Sequence, residues 1–88
     1  MCLWLHDRAD ARHYAHDVTR TILGIDPGLT RCGFGVVAAT GQQVRFVDAG
    51  VIRTPADAPL ELRLLAVWNG LAELIERHAP DAMAVERV

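Results

Sequence analysis

The hydrophobic residues of this chain gather into short runs and one long periodic stretch. Thr21-Ile-Leu-Gly-Ile-Asp26 is a continuous apolar run that ends in an acid. It is short and rich in β-branched residues, which suits a strand buried on both faces. Pro27-Gly28 punctuates it as a turn. Cys32 to Ala39 predicts a second strand, with glycines where backbones approach closely. Thr40-Gly41-Gln42 predicts a hairpin turn, and Val44 to Arg53 a third strand. The three read as an antiparallel meander.

Thr54 to Pro59 reads as a loop that leads into a helix. Asp57 is placed to cap that helix, and Pro59 to occupy its first turn. Leu60, Leu64, Val67, Leu71, Leu74 and His78 recur at three- and four-residue spacing, and Leu65, Trp68 and Ile75 widen the stripe. Arg63, Glu73, Glu76 and Arg77 fall mostly on the other side, so an amphipathic helix of about five turns is expected. Trp68 is expected to pack in the core or against a helix, and His78 to sit near the last carbonyls. Ala79-Pro80-Asp81 stops the helix. Ala82-Met-Ala-Val-Glu86 is a fourth strand, again ending in an acid. A strand reached through a helix usually runs parallel in the same sheet, which places it beside the first. The expected fold is a mixed α/β sheet in the order β-β-β-α-β over residues 21–88. Residues 1–20 have no clean period and are expected to form a poorly ordered extension, with a helix over Asp7 to Asp17 as an alternative.

Composition narrows the classes. About half of the 88 residues are hydrophobic and 23% are charged, which is a globular balance. No apolar run reaches the length of a membrane span, and the start of the chain lacks a signal-peptide pattern, so a cytoplasmic location is expected. Cys2 and Cys32 have no framework spacing and read as reduced thiols. Cys2, His6, His13 and His16 fit no zinc spacing. The net charge of −2 does not advertise a nucleic-acid partner. All nine basic residues are arginine, which suits phosphate contacts but also follows from compositional bias.

The candidate chemistry lies at two strand ends. If the first and fourth strands are parallel neighbours, Asp26 and Glu86 emerge together at the carboxyl edge of the sheet, where ligands gather in α/β folds. Adjacent carboxylates repel each other and are best tolerated around a cation. Hard oxygen ligands select Mg²⁺ or Mn²⁺. The residues by themselves fit either phosphoryl chemistry on a divalent metal or two polar strand ends facing water. Gly28 fits a tight turn that leaves room beside Asp26, or a plain turn. Arg31 fits a phosphate contact or an exposed solvated side chain. Arg87 alternates away from the acid's side, and Cys32 fits core packing.

Three motifs carry a family resemblance. Ile22-Leu-Gly-Ile-Asp-Pro-Gly-Leu-Thr-Arg-Cys-Gly-Phe-Gly-Val-Val37 resembles the opening strand pair of the RuvC crossover-junction endonucleases. Gly50-Val-Ile-Arg-Thr-Pro55 resembles their third strand and following loop, and Ala82-Met-Ala-Val-Glu-Arg-Val88 their fourth strand. The resemblance covers residues 21–88 and implies the N-terminal part of an RNase H-like nuclease domain. It implies that Asp26 and Glu86 are catalytic metal ligands for Mg²⁺ or Mn²⁺, two ions per complete site. It implies four-way junction DNA as substrate, a homodimer, and the RuvA and RuvB branch-migration proteins as partners. The family's two later aspartates, its fifth strand and its other helices have no counterpart in these 88 residues, which alone are expected to be inactive. Two rival readings remain. One is a non-catalytic fragment that pairs with a full-length subunit. The other is a phosphotransferase of the actin and sugar-kinase type, whose chains also open with Gly-Ile-Asp-x-Gly.

Overall fold

The computed structural model describes residues 18–87 and the backbone course of Leu3–Asp7. Strand β1 (Leu3–Asp7) is followed by β2 (Thr19–Asp26), β3 (Arg31–Thr40) and β4 (Gln43–Arg53), then helix α1 (Leu60–His78) and β5 (Ala82–Glu86). The five strands form one sheet in the order β1-β5-β2-β3-β4. The β2–β3–β4 meander is antiparallel, and β5 runs parallel to β2 from Ile22↔Ala82 to Ile25↔Val85. This is the arrangement the sequence pattern implies for the four strands after residue 18.

The pleat divides the sheet into two unlike faces. Leu23 and Ile25 on β2, Cys32, Phe34 and Val36 on β3, Ile52 on β4, and Met83 and Val85 on β5 form the apolar face. α1 covers it with Val67, Leu71 and Leu74. Leu23, Cys32 and Val36 are fully buried there. The helix lies close to β4 because Gly70 carries no side chain. A Cβ at that position would stand 2.9–3.1 Å from three carbons of Ile52.

Polar bonds fix the ends of these elements. Thr21 and Asp81 bind each other twice: the Thr21 N–H donates to Asp81 Oδ2 at 2.9 Å, and the Asp81 N–H donates to the Thr21 carbonyl at 2.8 Å. This clamp joins the first turn of β5 to β2 and starts their parallel register. At the other end of the sheet width, His78 Nε2 lies 3.0 Å from Asp48 Oδ2 and anchors the last turn of α1 to β4. The helix stops at Ala79, which is left-handed at φ 44° and donates its N–H to the Ile75 carbonyl. Pro80, which follows, cannot continue it.

Four expectations need correction. Leu3–Asp7 is not irregular: it pairs antiparallel with β5, Leu3↔Glu86 through Asp7↔Ala82. An unpaired edge of β5 would leave backbone donors and acceptors open, and β1 satisfies them. β2 also begins at Thr19, so a domain boundary at residue 20 would cut a strand; the helix considered over Asp7 to Asp17 falls mainly outside the described residues. Asp57 does not cap α1: the N-cap is Pro59, with no side-chain hydrogen bond, and Pro59 lies one position before the first turn proper. Trp68 is not in the core. It is 72% exposed, because the apolar stripe of α1 is wider than the side that meets the sheet.

The clamp is directly testable. Asp81→Ala leaves the Thr21 N–H without its acceptor and should lower stability by about 1–2 kcal/mol, read as a lower urea midpoint at unchanged slope.

Candidate active site

Asp26 ends β2 and Glu86 ends β5. The parallel register runs to Ile25↔Val85, so the two acids stand one residue beyond it on adjacent strands. Neighbouring strands lie about 4.8 Å apart. Both residues alternate away from the α1 core. Asp26 is exposed and Glu86 half-buried. Neither has an ion-pair partner among the described residues. Two like charges are thus held side by side without an ion pair among the described residues.

The acids open onto a groove of about 680 Å³ on the face opposite α1. Its floor comes from Gly24, Gly33, Gly35, Ala49 and Ala84, beside the two acids. The same pleat that sends large apolar side chains toward α1 presents hydrogen or methyl at Gly24, Gly33, Gly35, Ala49 and Ala84, with Val51 on β4 as the larger side chain at the groove. Beside the acids, over β2, β3 and β5, the floor is therefore largely backbone, and a bulky group can approach Asp26 and Glu86 closely.

The turn that follows Asp26 is held from two directions. A Cβ on Gly28 would lie 2.3 Å from the Arg31 carbonyl oxygen, so only glycine lets the chain fold back so tightly. From across the sheet, Thr54 is buried and reaches this turn twice. Its N–H donates to the Thr30 carbonyl at 3.1 Å, and its hydroxyl donates to the Leu29 carbonyl. Thr54 thereby ties the exit of β4 to the turn behind the first acid. Sequence reasoning missed it; the only signal is a threonine at the end of a strand, which is common. Cys32 lies beneath the turn in the core. Burial pushes its thiol above the ordinary cysteine range, the Gly28 N–H partly opposes that, and the Asp26 charge adds to it. Such a thiol is a packing group and a poor nucleophile.

Of the residues singled out from sequence, Asp26, Glu86 and Gly28 come together at one edge, and Arg31 lies at the same edge. Arg87 alternates to the other side of β5 from Glu86. His78 is far from this edge, at Asp48. Among the described residues no group of three or more His, Cys, Asp or Glu could hold a metal. The Asp26–Glu86 pair is the acidic donor set at this groove. Cys2, His6, His13 and His16 either fall outside the described residues or, for His6, lie in β1 with only the backbone described.

A mixed sheet in this order, with a helix on one face and acids at the carboxyl ends of two parallel neighbours, is an RNase H-like scaffold. Residues 22–88 match the family described as "Crossover junction endodeoxyribonuclease RuvC", and the chain belongs to that family. Proteins of that name are 56% identical over 72 residues in Leifsonia xyli subsp. xyli and 54% identical over 68 residues in a Nocardioides species. Those matches cover 81% and 76% of this chain but 35% and 38% of the relatives, so the chain spans about a third of their length. A solved structure titled "T. thermophilus RuvC in complex with Holliday junction substrate" superposes with a TM-score of 0.72 at 35% identity. It covers 77% of this chain and 42% of that one. A second, "Thermus thermophilus RuvC structure", gives 0.62 at 32% identity, covering 68% and 40%.

Thr54→Val keeps shape but removes the hydroxyl bond to Leu29. It should cost about 1–2 kcal/mol and speed hydrogen exchange in residues 28–30 more than in the β2–β5 ladder. Uniform exchange across the sheet would show that Thr54 does not hold the turn.

Proposed function

We propose that this chain supplies one half of the metal-binding centre of a Holliday-junction endonuclease, which hydrolyses phosphodiesters in four-way DNA junctions during recombination and repair. The observation that carries this is the emergence of Asp26 and Glu86 from adjacent parallel strands over a groove with a backbone floor. The family membership of residues 22–88 supports it. Two unpaired carboxylates with hard oxygen donors fit Mg²⁺ or Mn²⁺. When bound, a pair of such ions activates water and stabilises the attacking and leaving oxygens of a phosphodiester.

This chain's own residues set the stage for that chemistry. Asp26 and Glu86 supply oxygen ligands held by two strands whose register the Thr21–Asp81 clamp begins. Gly24, Gly35 and Ala84 leave the space in which a phosphate backbone reaches those ligands. Gly28 and Thr54 hold the turn behind Asp26 so that its carboxylate keeps its place. Two carboxylates leave much of an ion's shell to water, so the 88 residues alone bind metal weakly and do not cut. Cleavage needs the remaining length of the family, which adds the further acids. By the same reading the complete enzyme is a cytoplasmic homodimer that works with the RuvA and RuvB branch-migration proteins.

A chimera tests this, with residues 22–88 replacing the matching segment of the Leifsonia xyli relative. It should cut a synthetic four-way junction with Mg²⁺. Asp26→Asn in it should slow cleavage by roughly a thousandfold or more, about 4 kcal/mol of transition-state stabilisation, while junction binding changes little. Cleavage at the parent rate by the variant would remove Asp26 from the centre.

A further inference from the structure

The carboxyl edge of the sheet also carries positive charge. Arg31 opens β3, Arg53 closes β4, and the register sets them directly opposite each other. Like charges facing each other across a ladder are destabilising, yet here both are arginine. The bond from the Thr54 N–H to the Thr30 carbonyl lies one step outside this pair on each strand. It makes 31/53 a non-hydrogen-bonded pair, in which the Cα atoms approach to about 4.5 Å and the side chains are nearest.

Alternation decides the face. Cys32 and Ile52, the inner neighbours of the pair, pack into the core under α1. Arg31 and Arg53 therefore stand on the opposite face. Asp26 shares that face through its direct pairing with Gly33. Both arginines are exposed, and neither has an ion-pair partner among the described residues. They lie two residues beyond the Gly33 level, roughly 7 Å along the ladder, and one to two strand spacings, about 5–10 Å, from β2. That is too far to neutralise the Asp26 and Glu86 charges in salt. It is close enough for one polyanion to meet both groups.

We propose that Arg31 and Arg53 form a phosphate clamp. It holds a DNA backbone phosphate beside the one presented to Asp26 and Glu86. Arginine suits this task because its planar fork grips phosphate oxygens bidentately. A phosphate between the two guanidinium groups also relieves their mutual repulsion. The Thr54 bonds to residues 29 and 30 fix the frame on which both arginines stand. The clamp rests on the nuclease reading above and adds to it the residues that hold the substrate backbone.

The test is the salt dependence of junction binding by the same chimera, measured by fluorescence anisotropy without divalent metal. Arg31→Gln with Arg53→Gln should weaken binding on the order of tenfold at moderate salt. It should also reduce the slope of log affinity against log salt by about one, the signature of one lost phosphate contact. Arg53→Lys should keep the slope and lose part of the affinity. Since the pair is repulsive without its ligand, the melting midpoint of the double variant should stay level or rise. A double variant with the parent's affinity and slope would overturn the clamp and leave the nuclease reading intact, as would a clear fall in melting midpoint. A parent chimera that fails to bind the junction would overturn both.

Discussion

Everything at this edge depends on the parallel pairing of β5 with β2. It places Val85 opposite Ile25 and therefore Glu86 beside Asp26. A slip of one residue would turn β5 over, sending Glu86 into the apolar side and Met83 and Val85 into the groove. Three features oppose that slip. The Thr21–Asp81 clamp fixes where β5 begins. The side chains of Met83 and Val85 are packed with Leu23, Ile25 and Leu74 under α1. β1 holds the outer edge of β5 in a defined register of its own. Stability and site geometry are here the same constraint, since the bonds that keep the register also keep the acids together.

The two faces of the sheet divide the work. One is filled by large apolar side chains and covered by a helix that Gly70 lets come close. The other is nearly bare over β2, β3 and β5, and acids and arginines stand at its rim. Carboxylates on adjacent strands next to an arginine pair about 10 Å away make an edge with two charge zones. A metal-loaded centre suits the negative zone and a polyanion the positive one. The outward side of α1 tells a different story. Leu65 and Trp68 are more than half exposed there, and apolar side chains grouped on one side of a helix mark a surface suited to contact. The chain spans only about a third of its relatives' length.

Much of this was legible in the sequence, for identifiable reasons. Apolar runs closed by Asp26 and Glu86 marked two strands, although the first, expected to be buried on both faces, buries only its Leu23 and Ile25 side and opens the other onto the groove; helical spacing from Leu60 to His78 gave α1 its limits. The acids followed, because a helix between two strands implies parallel neighbours. What could not be read depends on contacts distant in the chain. Thr54 and Asp81 matter through bonds to residues 25 and 60 positions away, and neither residue type announces that. The Arg31–Arg53 pairing needs the β3–β4 register, which a bulge between Val36 and Val37 shifts by one. Asp57 had the right chemistry for a cap but the helix begins at Leu60, beyond its reach. Trp68 fitted an apolar stripe wider than the surface available to cover it. β1 was missed because three apolar residues followed by His and Asp carry no strand period, and only the open edge of β5 gives them a role.

The central claim is that Asp26 and Glu86 act as one cation site, and paramagnetic relaxation tests it most directly. In the ¹⁵N-labelled chain, substoichiometric Mn²⁺ should broaden the amide signals around residues 26 and 86 together. Asp26→Asn should abolish the broadening at both strand ends while the other resonances stay in place. Broadening at Glu86 that persists unchanged in the variant, or that centres on Glu73 and Glu76 of α1, would contradict the account.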